Sequence, residues 1–552
     1  MKKNIKYIFV VGGVMSGVGK GVASSSIGAI LQARGFEVTS VKIDPYVNVD
    51  AGTMNPTEHG EVFVLKDGME CDQDMGNYER FLGRELDRGN YMTTGSIYQT
   101  VIARERNLEY GGKCVEVVPH IPLEVIDKIK KAAKNHKADV VITEIGGTVG
   151  EYQNILFLEA VRMLRQMHPR DVLLVLVSYL PLLGKDNELK TKPTQYAVRT
   201  LHSAGLQPDI IIARAGVSLD EKRKAKIAFN CNMREQDVIS APDIESIYEI
   251  PINFEKDNLS DTMLEKLGLR SRTRNFSDWK KLVQTIRTVH KPLRIAIVGK
   301  YFKTGSFVLA DSYISVIEAL RHAIYASKRK PVLEWLDAEQ FDPALNKHWK
   351  RNLKMLDGFG GVLVPGGFGS RGVEGKIQAI RYTRERKIPY FGLCYGMQLM
   401  TIEYARNMAK LKNANTTEVD KETPHPLIDI LPEQKKYLEM KDYGATMRLG
   451  AYPAFLRKGT IAERAYKKDA VSERHRHRYE VNPEYVEKLQ KAGLVFSGVS
   501  PDGKLMEIAE LPRAKHPFFL GTQFHPEFQS RPLEPHPLFL EFIKAAVKRN
   551  GV

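Results

Sequence analysis

Short runs of apolar, β-branched residues alternate with amphipathic stretches through the first 290 residues. Strands are predicted at 5–11, 37–43 ("EVTSVKI"), 138–143 ("ADVVIT"), 172–178 and 209–214 ("DIIIAR"). Between them lie helical patterns such as "IPLEVIDKIKKAAKNH" (121–136), with an apolar residue every third or fourth position. Strand and helix in alternation predict a doubly wound parallel sheet covered on both faces. The rhythm breaks at about 265–291, a basic and polar stretch with one helical piece, and restarts at "LRIAIVGKY" (293–301). Further strands are expected within "GVLVPGG" (361–367), "IPYFGLC" (388–394) and "PFFLGTQFHPE" (517–527). The stretch 412–442 is polar and strand-poor and reads as a surface insertion or loop. The expected division is 1–268, a linker at 269–291, and a second α/β domain at 292–552.

At 552 residues the chain exceeds a single core, in keeping with two domains. The longest apolar run, "DVLLVLVSYLPLLG" (171–184), is too short to span a membrane. Met1-Lys2-Lys3-Asn4 leads directly into a strand, so no secretory leader and a cytoplasmic location are expected. Cys71, Cys114, Cys231 and Cys394 are too dispersed for a CxxC metal site or a disulfide framework. A formal charge of +16 suits anionic partners. The basic residues are spread out and no aromatic-interleaved motif accompanies them, which favours nucleotides over nucleic acid.

"VGGVMSGVGKGVASS" (11–25) follows the first strand and opens a helix. Such a glycine-rich turn offers backbone N–H groups to a phosphate, and Lys20 adds a point charge. The usual pattern places Ser or Thr after the lysine to hold Mg²⁺, but here that position is Gly21. A metal would need carboxylates from elsewhere. Asp72 and Asp74 in "MECDQDMGNYERF" (69–81) are candidates, as is Glu144 at the carboxyl end of a strand. "KTKPTQ" (190–195) adds a stiff turn with donors for an anion, although alone it reads as an ordinary basic loop.

In the second half, Cys394 in "YFGLCYGMQ" (390–398) follows an apolar strand and is flanked by Gly392 and Gly396. That is the cysteine form of a nucleophile elbow. In "TQFHPEF" (522–528), His525 can act as its base and Glu527 can orient the imidazole. "VPGGFGSRG" (364–372) offers an oxyanion hole, with Gly367 and the Tyr395 amide as donors. "ERHRHRYE" (473–480) by itself reads as a solvated basic turn, and His475 and His477 have no evident metal partners.

"GGVMSGVGKG", "KIDPYVNVDAGTMNPTEHGEVFV" (42–64), "GNYERF" (76–81), "EIGGTVG" (144–150) and "KTKPTQ" occur together in this order. The set resembles the synthetase domain of the CTP synthase family. The second half resembles its expected partner, the flavodoxin-like class I glutamine amidotransferase domain. The resemblance implies a ligase that phosphorylates the O4 of UTP with ATP and displaces the phosphate with ammonia from glutamine, the final step of de novo CTP synthesis. It assigns Gly17, Val18, Gly19, Lys20, Gly21, Lys42, Asp74 and Ile244 to ATP, and Asp74 and Glu144 to Mg²⁺. Ser16, Glu151, Tyr152, Gln153, Lys190, Thr191, Lys192, Pro193, Thr194, Gln195 and Lys226 fall to a UTP site that overlaps a CTP feedback site. Gly367, Tyr395, Gly396, Met397, Gln398, Glu418 and Arg478 fall to glutamine, and an ammonia passage is implied near His59 and Val62. The family also implies activation by GTP and a homotetramer, a dimer of dimers that sometimes forms filaments, with no nucleic-acid or membrane partner. One departure stands out. The family reads "GGTVGDIE" where this chain has Glu151, Tyr152 and Gln153, and loss of a charge at Gln153 bears on CTP feedback rather than on the reaction.

Two other readings differ in one feature each. An ATP-dependent ligase amidating another acceptor lacks a reason for "KIDPYVN" and "KTKPTQ". A partitioning-type ATPase switch has no use for Cys394, His525 and Glu527.

Overall fold

The computed structural model describes residues 4–183, 188–300, 310–430 and 446–550. The chain forms two compact units that are not simple consecutive halves. One comprises Met1–Ala51 with Asp74–Gln284, the other Gly52–Gln73 with Thr285–Val552. The segment 52–73, read from sequence as part of the first domain, therefore packs within the second unit.

The first unit is built on a seven-stranded sheet. From one edge its order is Val238–Pro242, Ile210–Ala215, Val172–Tyr179, Lys6–Gly12, Val140–Ile145, Val38–Asp44 and Tyr91–Thr93. Every neighbouring pair is parallel. Lys6–Gly12 is buried at every position, the mark of a central strand covered on both faces. Each fully buried Val or Ile there contributes roughly 1.5–3 kcal/mol relative to exposure. The glycine-rich loop leaves the carboxyl end of this strand, and the adjacent strand ends at Glu144 and Ile145. The polar stretch before residue 291 holds the helix Ser277–Thr288, whose Trp279 is buried and donates to the Tyr248 carbonyl at 2.7 Å.

The second unit carries a nine-stranded mixed sheet. Lys330–Asp337, Pro292–Gly299, Gly361–Val364, Tyr390–Leu393 and Phe519–Thr522 run parallel. Met506–Glu510, Val495–Val499, Arg448–Leu456 and Ala470–His477 continue it antiparallel. Alternate residues feed two separate cores: Ile295, Ile297, Leu363 and Phe391 face one, Ala296, Val298, Val362 and Val364 the other. Two expectations are corrected here. The stretch 412–442 holds strands Asn415–Thr416 and Pro426–Ile430 within its described part. "ERHRHRYE" is no solvated turn: it forms most of Ala470–His477 and the start of Tyr479–Val481, with Arg474 and His475 fully buried.

Candidate functional site

In the first unit the loop ends on Gly19, in the left-handed region at φ 88°, and the helix Lys20–Ala33 follows. Lys20 is buried and donates to the Gly147 carbonyl at 2.8 Å. Burial lowers its pKa, an effect opposed by the charge of Glu144. Lys42, near the end of its strand, lies 2.6 Å from Asp74 Oδ2 and 2.8 Å from Glu144 Oε1. Burial opposes the Asp74 charge, but Lys42 outweighs it and holds the carboxyl below its ordinary range. Glu144 is more deeply enclosed, and burial pushes its pKa up.

Gly21 acquires a reason. A Cβ built on it stands 1.9 Å from Asp74 Oδ1. Asp74 thus fills the place where a Ser or Thr side chain would reach, and the carboxylate takes over the position of the missing hydroxyl. Two hard oxygen donors bridged by one ammonium cation form a set suited to Mg²⁺, which takes one or two carboxylates plus phosphate oxygens and water. Among the described residues no group of three or more His, Cys, Asp or Glu side chains forms a closed metal cage.

Three residues that the sequence reading missed complete this site. Tyr78 donates its hydroxyl to Glu144 Oε2, and Tyr91 donates to Asp44 Oδ2 at 2.8 Å. Arg214 lies 2.6 Å from Asp243 and would meet a Cβ on Gly19, which links the neighbour of half-buried Ile244 to the loop. Arg214 stood at the end of a predicted strand, the one signal that could have found it. Val18 is buried, while Ser16 and Gly17 are exposed.

The pyrimidine candidates divide. Glu151 accepts from the Thr148 N–H at 2.7 Å and from the Gln153 amide at 2.6 Å, so Gln153 supports Glu151. Tyr152 is 92% exposed. Glu188 is held below its ordinary range chiefly by its hydrogen bond to Lys190, with Lys226 adding to the effect, so these two cations share a neighbourhood. Lys192 and Pro193 start the helix Lys192–Ser203. Thr191 is buried and accepts from the Gln195 amide at 3.2 Å. Thr194 is buried against Ser178, hydroxyl to hydroxyl at 2.8 Å.

In the second unit the strands Tyr390–Leu393 and Phe519–Thr522 are parallel neighbours with Leu393 opposite Thr522. Cys394 and Gln523 therefore emerge at the same sheet end, with His525 two residues on. Cys394 has φ 49° and ψ −100°, a strained conformation that presents its side chain at the start of the helix Tyr395–Asn407. His525 Nδ1 lies 2.7 Å from Glu527 Oε1, and its Nε2 has no hydrogen-bond partner among the described residues. Burial opposes a charged ring, yet the charges of Glu527 and Cys394 prevail and raise the His525 pKa to about 10. A Cβ on Gly366 would stand 2.8 Å from His525 Cε1 and 3.8 Å from Cys394 Cβ, so only glycine fits beside the pair.

A cavity of about 680 Å³ opens on this pair. Gly367, Gln398, Glu418 and Arg478 line it, together with Val62 and residues 52–56. Glu418 accepts from the Gly369 N–H at 2.7 Å, and Tyr395 donates to the Gly369 carbonyl at 2.8 Å. Gln398 donates to the Tyr479 carbonyl at 2.9 Å. Gln523, unforeseen in the sequence, donates its amide to Cys394 Sγ at 3.6 Å. Three assignments are not brought to the cavity as side chains, the first being Tyr395, whose ring is buried beside it. Met397 is packed in the core, and His59 is exposed on the short helix Pro56–His59.

Comparison with known proteins agrees with both halves. Residues 6–269 match the family described as CTP synthase N-terminus, and 308–545 match glutamine amidotransferase class-I. The CTP synthase of Thermococcus gammatolerans is 48% identical over 547 residues, covering 99% of each chain. That of Rubrobacter xylanophilus is 50% identical over 544 residues, covering 98% of this chain and 95% of its own. The glutaminase domain of Trypanosoma brucei CTPS, solved with bound acivicin, is 39% identical, covers 46% of this chain and 94% of its own, and has a TM-score of 0.42.

Proposed function

The chain belongs to the CTP synthase family and carries out glutamine-dependent amination of UTP to CTP; from that premise we propose how its own residues share the work. Cys394 attacks the side-chain carbonyl carbon of glutamine as the thiolate, its proton already held on His525, and the Gly367 and Tyr395 N–H groups receive the oxyanion. The C–N bond then breaks, His525 returns the proton to the departing nitrogen, and water hydrolyses the thioester to glutamate. Glu527 keeps the imidazole in register from its other nitrogen. Glu418 and Arg478 take the amino and carboxylate groups of glutamine. The released ammonia leaves the cavity past Val62.

In the first unit the uracil O4 is a poor leaving group, and transfer of the ATP γ-phosphoryl to it supplies a good one. Ammonia then adds to C4, inorganic phosphate departs, and a proton is lost to give CTP. The glycine-rich loop, Lys20 and Lys42 hold the ATP phosphates, with Arg214 beside the loop. Asp74 and Glu144 hold Mg²⁺, which when bound neutralises phosphate charge during transfer. Lys190 and Lys226 face the UTP phosphates. The observation that carries this division is Asp74 standing where a side chain on residue 21 would reach. Family membership supports GTP activation of glutamine hydrolysis and a homotetramer.

The test is incubation with ATP, Mg²⁺, glutamine and each pyrimidine or purine nucleotide in turn. UTP alone is expected to be aminated, and amination of another acceptor would overturn the assignment of the pyrimidine site.

A further inference from the structure

The hairpin formed by Val62–Val64 and Glu70–Asp72 is remote in sequence from Cys394 and His525, and apart from the ammonia exit at Val62 the chemistry above gives it no task. Within the second unit it nevertheless reaches both residues, by three routes. Glu70, almost fully buried, accepts from Arg476 Nε at 2.8 Å, and the Arg476 carbonyl lies 4.0 Å from Cys394 Sγ. Arg474 donates to the Val64 carbonyl at 3.1 Å, while its own carbonyl accepts the His525 backbone N–H at 2.8 Å. Phe63 meets Phe528 edge-on at 4.9 Å, and Phe528 stacks on the His525 ring at 5.1 Å with planes 17° apart.

The strand carrying Arg474 and Arg476 explains why such a brace is needed. Ala470–His477 is the outermost strand of its sheet, paired on one side with Arg448–Leu456. An edge strand has few constraints of its own, yet the carbonyls of this one bracket the nucleophile and its base. The hairpin also grips the strand's sheet neighbour, since Ala451 N–H donates to the Lys66 carbonyl at 2.9 Å. Arg476 lines the glutamine cavity and, among the described residues, its guanidinium makes no hydrogen bond other than that to Glu70. Arg476 is only half-buried, so without Glu70 its guanidinium is free to turn toward the cavity and its direction is unset.

We propose that the 62–72 hairpin is a positioning element for glutamine hydrolysis, with Glu70 and Phe63 holding the backbone at Cys394 and the ring of His525 in reactive register. This rests on Cys394 as the nucleophile. The test compares Glu70→Gln, Glu70→Asp, Phe63→Leu and Cys394→Ala in the full chain. Three quantities are measured: kcat and KM for glutamine hydrolysis, the rate of Cys394 alkylation by iodoacetamide across pH, and CTP formation from ammonium chloride. Displacing a reacting pair by about 1 Å costs roughly 100-fold. Glu70→Gln is therefore expected to lower kcat about 10- to 100-fold with KM changed less than about threefold. Alkylation should slow in parallel, and CTP formation from ammonium should stay within about twofold of the parent, which also reports that the variant is folded. Glu70→Asp, which keeps the charge one methylene short, should fall between parent and Glu70→Gln, and Phe63→Leu should shift the pH profile of alkylation. Unchanged hydrolysis in both Glu70→Gln and Phe63→Leu overturns the inference, as does equal loss of CTP from both nitrogen sources. A Cys394→Ala protein that still hydrolyses glutamine overturns the nucleophile assignment itself, and the inference with it.

Discussion

Lys42 shows how much one side chain can organise. Its ammonium is shared by Asp74 and Glu144 and lies 3.8 Å from Asp44, so three carboxylates gather around one cation in a mostly buried space. Like charges so close repel, and the arrangement holds because Lys42 compensates them. Gly21 is the sequence mark of this arrangement, since any side chain there displaces the Asp74 carboxylate. Asp74 cannot simply retreat while Lys42 holds its other oxygen. We expect Gly21→Ala to lower CTP formation about 100-fold with either glutamine or ammonium, the scale of a 1 Å misplacement. Glutamine hydrolysis should persist. Steady-state assays with both nitrogen sources check this, and full activity in the variant would show that the close approach of Asp74 has no catalytic role.

At the scale of elements, the strands that carry chemistry differ in how openly the sequence displays them. The central parallel strands are apolar runs buried on both faces, and their periodicity marks them plainly. Ala470–His477 reads as polar because its stability comes from paired charges and hydrogen bonds, not from apolar contact. Arg474 and Arg476 face the hairpin, while His475 and His477 enter a buried cluster with Arg448, Glu480 and Glu507. Burial pushes both histidines well below their ordinary pKa, so they remain neutral. Burial, reinforced by Glu507, raises the Glu480 pKa to about 8. The native state thus binds a proton that the unfolded chain releases near its ordinary value of 4.5. The resulting stabilisation is fully present below about 4.5 and is lost as pH rises through about 8. Urea midpoints of parent and Glu480→Gln between pH 5 and 9 test the sign. The parent should lose more stability than the variant as pH rises, and parallel curves would contradict the proton held on Glu480.

For the molecule as a whole, the two α/β units and the grouping of Cys394, His525 and Glu527 were legible because each lies at or just beyond a strand end with a local signature. The loop with Lys20 was legible for the same reason. What the sequence concealed was assembled from distant segments. Tyr78, Arg214, Gln523 and Glu70 acquire meaning only through partners 66, 196, 129 and 406 residues away. No local pattern encodes such pairings. The placement of 52–73 in the second unit was hidden likewise, because its burial comes from residues beyond 300 rather than from its own periodicity. The central claim, that nitrogen is released by one set of residues and UTP activated by another, is tested most directly by measuring CTP formation by Cys394→Ala and Glu144→Ala with glutamine and with ammonium chloride. The account predicts that Cys394→Ala fails only with glutamine and that Glu144→Ala fails with both. Loss of both sources in a folded Cys394→Ala protein, or retention of either in Glu144→Ala, would contradict it.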